Sequence, residues 1–406
     1  IWSLMSLPLA RDFFHCPALT RDEVQCLIEK AHTACKLTVR NATQFASIFT
    51  LDSIVQNDKT EREAKVYKGF DTDDGIAEVG MCAQTKLTAT LEEVADLFYL
   101  DNVVKYEAYS KVTGHLVLDK QSLYTLVPKA PSGKKALHYI GIEWMVAKTP
   151  VGLKSRDFCF IEIHDEFTFF DKQTQQTRRG WVRCMHSIPM HCCLSLEKSH
   201  GFVRSHFVRS GHIFMETEHP TTLIYYNLLC GVTRRSNYTP TLAHEYVLRR
   251  HVTQLLNLEE YLTTQRLKTF LENPIDNFQQ KDQVEYCNTC YHRFQWLSIK
   301  KQCRGCGDVL CNHCAVKWEL PLSETVISMT VCRKCINDNH IRSFTAPNES
   351  RFRLGNNCID LIMLINSVDT ETEPCPFKLH QLTFKNAKDD LAIGKSSPMI
   401  SPLVIS

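Results

Sequence analysis

The feature that most constrains this chain is a ladder of paired cysteines in its last third. Eight of its 19 cysteines form four CxxC pairs within 49 residues, Cys287/Cys290, Cys303/Cys306, Cys311/Cys314 and Cys332/Cys335. A CxxC turn places two sulfurs about 3.7 Å apart, which is the edge of a zinc tetrahedron with Zn–S bonds of about 2.3 Å. Four pairs supply two closed sets of four thiolates, so we expect two structural zinc ions.

The charge balance and the remaining cysteines narrow the class of protein. Lys and Arg number 47 and Asp and Glu 45, so no global basic field exists and we expect no nucleic-acid partner. The other eleven cysteines follow no disulfide-framework spacing, which indicates free thiols in a reducing compartment. No window reaches 18 uncharged apolar residues, and we interpret the apolar opening IWSLMSLPLA as packing on the fold. We therefore expect a cytoplasmic protein.

Hydrophobic periodicity predicts an α+β domain ahead of the cysteines. Helical spacing appears over 20–35 and 91–102, and from about residue 137 the period changes to two. Apolar runs separated by short turn-forming segments indicate antiparallel hairpins. The predicted strands cover residues 137–147, 157–164, 180–188, 201–209, 211–216 and 222–230.

One long amphipathic helix is predicted over 240–266. Its apolar stripe consists of Leu248, Val252, Leu255 and Leu262. A curved antiparallel sheet followed by such a helix can close around an internal cavity, or the two can pack into a solid core. The pattern alone leaves both possibilities open.

These patterns divide the chain into five segments. They are an N-terminal segment (1–19), the α+β domain (20–266), a polar linker (267–282), the zinc module (283–340) and a tail (341–406). We expect the tail to be partly disordered, apart from the apolar run 358–368, which predicts a short helix or strand docked on the body.

The zinc module resembles a FYVE-type zinc finger. The resemblance rests on the cysteine spacing, on Phe294 four residues after Cys290, and on the string KKQCRGCGDVLC at 300–311. In that family the cysteine pairs cross-brace. The resemblance therefore implies one zinc ion on Cys287, Cys290, Cys311 and Cys314 and a second on Cys303, Cys306, Cys332 and Cys335. A RING finger, which usually has a His among its ligands, is less similar.

FYVE domains bind phosphatidylinositol 3-phosphate, and the resemblance implies contact residues for it in this chain. Lys300, Lys301 and Arg304 align with the basic string of the family. Trp296 and Leu297 align with its apolar insertion loop. A large Trp suits the headgroup region of a bilayer. The resemblance therefore implies an anionic or phosphoinositide-containing membrane as partner.

The larger domain resembles a START lipid-transfer domain over roughly 20–266. The resemblance rests on Trp144, on the pairs Arg156-Asp157 and Gly180-Trp181 that open two strands, and on the closing helix 241–266. It implies a helix-grip fold with a pocket for a sterol, phospholipid or ceramide, and a structural ion pair at Arg156-Asp157. The candidate pocket residues on the predicted strands are Phe158, Phe160, Met185, Phe207, Phe214 and Tyr226.

Common catalytic motifs do not occur in the sequence. HExxH, G-x-S-x-G and the Rossmann fingerprint are all missing. Gly394-Lys395-Ser396 lacks the upstream glycine of a P-loop, since Asp389 stands there. His191-Cys192-Cys193 has the composition of a metal site, but neighbours on a strand point to opposite faces. We expect no enzymatic activity.

Two functional hypotheses follow. The first is a lipid-binding or lipid-exchange protein, peripheral on endosomal-type membranes, whose finger has weakened phosphatidylinositol 3-phosphate specificity. The second is an adaptor whose finger binds a protein such as a small GTPase, with a non-functional START cavity. Trp296 and Leu297 favour the first hypothesis. Ile299, Gln302 and Thr330, which depart from the family motifs, favour the second.

Overall fold

The chain is described by a computed structural model in which contacts define two units. The described residues are 7–71, 79–114, 116–133, 136–149, 154–219, 221–231, 241–272, 278–322, 325–337, 383–386 and 390. Unit 1 comprises residues 1–57, 61–258 and 368–406, and unit 2 comprises 58–60 and 259–367. The antiparallel sheet lies in unit 1 and the cysteine pairs lie in unit 2.

The first helices of unit 1 are α1 (Arg21–Ile48), α2 (Leu91–Phe98), α3 (Val103–Thr113) and the single turn α4 (Glu197–His200). The first three begin at a side-chain cap, and α4 does not. Thr20 and Glu23 form a capping box at the start of α1, and Thr90 and Glu93 form another at the start of α2. Helix α3 ends at Gly114, whose left-handed φ of 64° costs a glycine little.

Unit 1 is built on one eleven-stranded sheet. Its strands are β1 (Leu51–Gln56), β2 (Glu63–Phe70), β3 (Val79–Thr88), β4 (Val117–Val127), β5 (Tyr139–Ala147), β6 (Arg156–Asp171), β7 (Gln176–Ser187), β8 (Val203–Arg204), β9 (Ser210–Glu216), β10 (Thr222–Cys230) and a C-terminal strand Thr383–Phe384. The main path runs β1-β2-β3-β10-β9-β7-β6-β5-β4, with every pair antiparallel. The predicted α+β class with an antiparallel sheet is confirmed.

Two segments of the sheet differ from the prediction. The predicted strand at 201–209 was wrong over most of its length, because only the two residues of β8 pair, and they do so in parallel with β6. The rest of that segment is a loop whose backbone bonds to the sheet, with Ser205 N donating to Asp157 O at 2.8 Å. Strands β1 to β4 and helix α3 were not predicted.

The two faces of the sheet carry different helices. Helix α1 packs across β6, β7, β9 and β10 and buries an apolar core that includes Ile28, Val39 and Trp144. The opposite face is covered by α2 against β7 and α3 against β4. Since successive strand residues point to opposite faces, each strand contributes alternate side chains to these two environments.

The long helix predicted over 240–266 is two helices. They are α5 (Thr241–Thr253), which packs on β2, β3 and β10, and α6 (Leu256–Glu272). Gln254 N donates to His251 O and Leu255 N donates to Val252 O, both at 3.3 Å, so the turn between them tightens to i→i+3 bonding. All four stripe residues, Leu248, Val252, Leu255 and Leu262, are buried.

A short piece of the C-terminal segment packs on unit 1. Thr383–Phe384 pairs antiparallel with β6, and the Phe384 ring lies 5.6 Å from that of Phe167. Asp390 is fully buried and bonds to the imidazoles of His32 and His138. The apolar run 358–368 lies outside the described residues.

Unit 2 begins within α6 and contains two small hairpin sheets. Strands β11 (Lys301–Gln302) and β12 (Val309–Leu310) form one, β13 (Ala315–Pro321) and β14 (Val326–Cys332) form the other, and α7 (Arg333–Asn337) follows. Trp318 is buried and its indole N–H donates to Thr264 Oγ1 of α6 at 3.0 Å. By contacts, unit 2 begins at Glu259 within α6, and Leu267 of the same helix belongs to its core. No helix among the described residues is long and apolar enough to cross a bilayer.

Candidate metal centres and lipid-binding face

The eight cysteines converge in two groups of four. One group is Cys287, Cys290, Cys311 and Cys314, the other is Cys303, Cys306, Cys332 and Cys335, and within each group all sulfurs lie within 4.8 Å of one another. The Sγ–Sγ distances are 3.7 Å for Cys290–Cys311, 3.7 Å for Cys303–Cys335 and 3.8 Å for Cys306–Cys332. A tetrahedron with Zn–S bonds of about 2.3 Å has edges of about 3.8 Å. Both groups therefore fit zinc, in the predicted cross-braced pairing.

In the second centre, backbone N–H groups donate hydrogen bonds to the cysteine sulfurs. Cys303 Sγ accepts from Gly305 N at 3.3 Å and from Cys332 N at 3.2 Å, and Cys332 Sγ accepts from Cys335 N at 3.3 Å. A Cβ on Gly305 would lie only 3.0 Å from the Cys335 sulfur, so this turn needs a glycine. Such N–H···S bonds stabilise the thiolate form that binds metal.

The first centre is more open to solvent. Cys290 is exposed and Cys311 is half-buried, whereas three of the four sulfur-bearing residues of the second centre are buried. Burial opposes ionisation of Cys287, but backbone N–H groups of Cys290, Cys311 and Thr289 outweigh it and lower its pKa to about 6. Cys287 is therefore a thiolate at neutral pH, as zinc ligation requires.

A large apolar tip projects from this zinc-binding scaffold. Trp296 is 92% exposed, Leu297 72% and Ile299 70%. The tip is the turn between the first CxxC pair and β11, and its backbone closes through Ser298 N donating to Gln295 O at 2.9 Å. Trp318, the other tryptophan described in unit 2, is buried. The zinc-binding scaffold therefore holds the three apolar side chains of this turn out in solvent.

The three basic residues predicted to contact phosphoinositide follow the tip in the sequence and lie in different settings. Lys300 donates to the carbonyls of Lys281 and Val284, at 2.9 and 2.8 Å. Lys301 is half-buried in β11. The exposed Arg304 stacks its guanidinium 5.4 Å from the Phe278 ring. The Lys300 ammonium therefore stabilises the local backbone, and Arg304 is the most solvent-accessible of the three.

Gln302 occupies a position at which the family motif has a histidine. Its side-chain amide donates to Gln279 O at 2.8 Å and contacts Gly307 O at 3.5 Å. Both acceptors are backbone carbonyls of unit 2, so the amide stabilises the loop that contains Cys303 and Cys306. Thr330 is half-buried in β14, where its carbonyl accepts from Arg304 N at 2.8 Å.

In unit 1, five of the six predicted pocket residues share one side of the sheet. Phe158 and Phe160 on β6 contact Phe207, with ring centroids 4.3 and 5.6 Å from it. Met185 and Phe214 follow on β7 and β9. Tyr226 does not join them: it lies on the α1 side of β10 and packs in that core, because it is one residue out of register with the shared face.

The same face carries a network of buried charges that the sequence did not indicate. The Arg183 guanidinium donates from Nε to Glu162 Oε1 at 2.6 Å, and His164 Nε2 lies 2.9 Å from the same oxygen. Lys120 Nζ donates to Glu143 Oε2 at 2.7 Å and lies 3.7 Å from Glu162 Oε2. All these groups are nearly inaccessible to solvent, so the network is a concentrated polar site inside an apolar face.

Burial and pairing set the charge states of this network. Burial alone would raise the pKa of Glu162, but Arg183 and Lys120 outweigh it and hold that pKa well below the usual range. Burial lowers the pKa of His164 to about 4, with only partial opposition from Glu162, so this imidazole is neutral. The network at neutral pH therefore comprises two cations and an ionised Glu162.

Part of the network lacks hydrogen-bond partners among the described residues. Neither Nη1 nor Nη2 of Arg183 donates to a protein acceptor, and Glu162 Oε2 accepts no hydrogen bond. The guanidinium lies 4.9 Å from the Tyr109 ring of α3. Burial would lower the pKa of Arg183, but Glu162 and the close Tyr109 side chain outweigh it and raise that pKa. A ligand oxygen or water at the two buried Nη groups would therefore bind beside that tyrosine.

One cavity beside this face is lined by described residues and is small. A cavity of about 10 Å³ lies between α3, α5 and the sheet, and its lining includes Met185, Phe207, His212 and His251. It accommodates about one water molecule. A polar surface groove of about 310 Å³ lies elsewhere, beside the start of α2 and the β9–β10 turn.

The ion pair that the START resemblance implied at Arg156-Asp157 takes a different form. Asp157 Oδ2 accepts from Arg204 Nη2 at 2.7 Å and from the Trp144 indole N–H at 3.1 Å. Arg156 precedes it on the strand and its Nε makes no hydrogen bond with the described residues. Adjacent strand residues point to opposite faces, so Asp157 pairs with Arg204.

Comparison with known proteins agrees with this arrangement. Residues 277–343 match the family model of the FYVE zinc finger, so the predicted finger with two zinc sites is confirmed. A search of curated proteins found no match. Residues 277–343, which match this finger, follow the α+β domain, and the chain is also similar to several solved structures.

Three of these solved structures show how far the similarity extends. Human StAR-related lipid transfer protein 5 is 11% identical with a TM-score of 0.42, covering 57% of this chain and 95% of that chain. Human STARD10 is 11% identical with a TM-score of 0.36, covering 57% and 82%. A StAR-related lipid transfer protein fragment from Xanthomonas axonopodis is 12% identical with a TM-score of 0.32, covering 50% and 95%.

Proposed function

We propose that this chain is a non-enzymatic lipid-binding or lipid-exchange protein that attaches reversibly to membranes through its zinc finger. The START-like unit would hold one lipid, and the finger would dock on the cytoplasmic face of an endosomal-type membrane. The observation that carries this proposal is the exposed apolar tip at Trp296, Leu297 and Ile299 on a metal-held scaffold. Water-exposed apolar side chains of this size, held together, are typical of a surface that binds a partner or a membrane.

The energetics of the tip favour weak attachment. Full burial of a large apolar side chain contributes about 1.5–3 kcal/mol, and each Lys or Arg near an anionic leaflet about 1 kcal/mol. Trp296 and Leu297 together with Arg304 then give about 4–7 kcal/mol before the cost of immobilisation. Attachment at this level is reversible, and stable anchoring needs a second contact.

Phosphoinositide specificity is proposed to be weak. The amide of Gln302 and the ammonium of Lys300 already bond to backbone carbonyls, so neither is free to grip a phosphate without losing those bonds. Lys301 and Arg304 remain to supply charge, which attracts anionic lipids in general.

In unit 1, the apolar face with its buried charges supports binding of a lipid that has a polar head. The rings of Phe158, Phe160, Phe207 and Phe214 suit an apolar chain, and the free N–H groups of Arg183 suit an oxygen of the head. Entry of a lipid requires α3 or α5 to move outward, since the cavity beside them holds about one water.

Vesicle co-sedimentation tests the membrane proposal. We expect Trp296→Ala/Leu297→Ala to lower binding to anionic vesicles by about 100-fold, from about 3 kcal/mol of lost burial. Val326→Ala/Ile327→Ala is the matched control, because it removes exposed apolar side chains from the other hairpin of the same finger. Adding phosphatidylinositol 3-phosphate at constant vesicle charge should change binding little.

The adaptor hypothesis is the alternative outcome of that experiment. Binding that ignores vesicle charge, the lipid and the tip mutation would refute membrane docking and favour a protein partner for the finger. Native mass spectrometry of protein purified from cells tests the lipid site independently. An adduct of lipid mass that survives in wild type and is lost in Glu162→Met/Arg183→Met, which removes both charges of the buried pair, supports it, and a bare polypeptide with two zinc ions contradicts it.

A further inference from the structure

Strand β6 extends beyond the end of its neighbour β5. The pairing of β5 with β6 ends at Tyr139 and His164, whereas the pairing of β7 with β6 continues to Asp171. On the side away from β7, the backbone of residues 165–171 therefore forms an edge that β5 does not reach. A sheet edge of this kind presents N–H and C=O groups to which another extended segment can pair.

A short C-terminal segment pairs with this edge. We call it the C-terminal anchor, and it consists of residues 383–386 and Asp390. Two residue pairs form its ladder with β6, and Lys385 N donates to Glu166 O at 3.1 Å. Each backbone hydrogen bond replaces one to water and adds little net stability, so side chains must supply most of the attachment.

Polar side chains of the anchor meet complementary groups on β6. Lys385 Nζ lies 2.7 Å from Glu166 Oε2 in a partly exposed ion pair. The Asn386 side chain is buried, and its amide donates to Asp165 Oδ1 at 3.0 Å. A cation and an amide N–H thus face two neighbouring carboxylates of the edge, so the anchor matches β6 in charge as well as in hydrogen bonding.

Asp390 makes the deepest contact of the anchor. Its side chain is fully buried, hydrogen-bonds to His138 Nε2 and lies 3.2 Å from His32 Nε2. On the other side of both rings, Asp165 lies 3.2 Å from His138 Nδ1 and 3.9 Å from His32 Nδ1. Two imidazoles are thus held between a carboxylate of β6 and one of the anchor. Together with the β6 edge they form a groove, and loss of Asp390 would remove the carboxylate from one side of both rings.

The chain is long enough for the anchor of one copy to reach the groove of another. Residues 338–382 lie between Asn337, where α7 ends, and Thr383. A chain of that length can extend over as much as about 150 Å. The contacts in the groove are the same whether the anchor comes from its own chain or from a second copy.

We propose that this groove is a peptide-binding site through which copies of this chain associate, each groove taking the C-terminal anchor of another copy. A tether keeps a ligand at an effective concentration on the order of millimolar, so each copy retains its own anchor in dilute solution and exchange prevails where copies are concentrated. Two associated copies carry two fingers, which supply the second contact that stable membrane attachment needs. This consequence rests on the proposed function, whereas the association itself does not and is tested without membranes.

A labelled peptide of residues 381–392 tests the groove on the full zinc-bound chain by fluorescence anisotropy. Asp390→Asn weakens the resident anchor and leaves the groove intact, so we expect it to bind the peptide at least about tenfold more tightly than wild type does. The same peptide carrying Asp390→Asn should bind this variant at least about 30-fold more weakly than the unaltered peptide. No binding, or equal affinity of wild type and variant, would overturn the proposal.

Lys385→Gln is the matched control, because it removes a partly exposed ion pair from the same anchor. Such pairs contribute little, so the affinity of this variant for the peptide should stay within about threefold of wild type. A control effect as large as that of Asp390→Asn would refute the role assigned to the imidazole contact.

Mixing two full-length variants tests association between copies. His138→Asn impairs the groove and keeps the anchor, and Asp390→Asn does the reverse. We expect light scattering to show a complex in their equimolar mixture and monomers for each variant alone. Peptide binding without a mixed complex would confine the groove to its own chain and contradict the proposal.

Hydrogen exchange of wild type decides the case if a variant fails to fold. The amides of residues 383–386 should exchange through local opening, at a lower free energy than those of β6. Exchange of the anchor only with global unfolding would show that it is a fixed strand of unit 1, and exchange between copies would then be refuted.

Discussion

The buried charges of unit 1 make a quantitative prediction about stability. Glu162 is the carboxylate shared by Arg183, His164 and Lys120, so Glu162→Gln leaves the Arg183 guanidinium buried without an anion. Removing one partner of a buried pair costs about 3–5 kcal/mol. That is a large part of the stability of about 5–15 kcal/mol that a domain has in total.

A second variant separates pairing from packing. Replacing both ends, in Glu162→Met/Arg183→Met, removes the two charges together and keeps apolar volume. Such replacements are often neutral or stabilising by about 1–4 kcal/mol. We therefore expect the double variant to be at least as stable as wild type, although each single substitution is strongly destabilising. Because the Arg183 N–H groups are gone, it should also lose any polar lipid that wild type retains.

The assay must report on unit 1 alone, because a chain of two units does not unfold in one step. Native-state hydrogen exchange read on peptides of β6 and β7 gives the local free energy of unfolding. The control is Glu92→Gln, which breaks the largely exposed pair with Arg179 and should cost at most about 1 kcal/mol. An effect of Glu162→Gln as small as the control, or a double variant as unstable as the single one, would refute the argument.

Three further predictions concern protons and metal. Burial would lower the pKa of His138, but hydrogen bonds with Asp165 and Asp390 outweigh it and raise that pKa to about 9. The stabilisation that His138→Asn removes, about 3 kcal/mol, should therefore be full below pH 6.5 and vanish as the pH rises through 9. Urea titrations at several pH values measure it. Burial lowers the pKa of His164 to about 4, so wild type should lose about 3 kcal/mol between pH 6.5 and 4, and His164→Gln should flatten that slope. Chelation of zinc should unfold unit 2, since each ion contributes about 10 kcal/mol or more. Maleimide should label the exposed Cys290 before the buried cysteines, and labelling of all eight at one rate would contradict the burial difference.

The zinc centres could be predicted from the sequence because their ligands lie in local turns. Each CxxC pair fixes two sulfurs within four residues, and the number of pairs fixes the number of ions. Which pair meets which followed from the family resemblance and is confirmed by the sulfur distances. The exposure of Trp296 also fits the predicted loop, since an apolar residue between two zinc pairs has little core to enter.

Only those strands were predicted in which apolar and polar residues alternate or in which apolar residues form a long run. Strand β1 is at the edge, and only two of the eight residues of β2 are buried. Both strands contain too many polar residues to resemble core strands. Strand β3 is nearly all buried, but Gly80, Gln84 and Lys86 interrupt its apolar pattern. Helix α1 runs on to Ile48 beyond the predicted end at residue 35, because Thr38 and Asn41 are polar residues that pack inside.

The charge network was beyond the reach of the sequence for a different reason. Glu162, Arg183 and Lys120 are polar residues on strands, and strand periodicity assigns such residues to solvent. Their burial depends on α2 and α3 covering that face, and α3 has no clear apolar stripe to reveal it. Tyr226 shows the related error in the apolar set, because one residue of register moves a side chain through the sheet.

On the proposed function, weak attachment and a closed cavity support each other. A lipid carrier must leave one membrane before it reaches another, so a tip worth only a few kcal/mol is an advantage for exchange. In the closed unit the Arg183 side chain is buried, and the cavity between α3 and α5 has room for about one water. Opening at α3 or α5 then exposes both the charges and the aromatic rings, which is unfavourable in water and less so at a membrane interface. The same physics that makes the empty unit close in solution would therefore favour its opening at the surface to which the finger attaches.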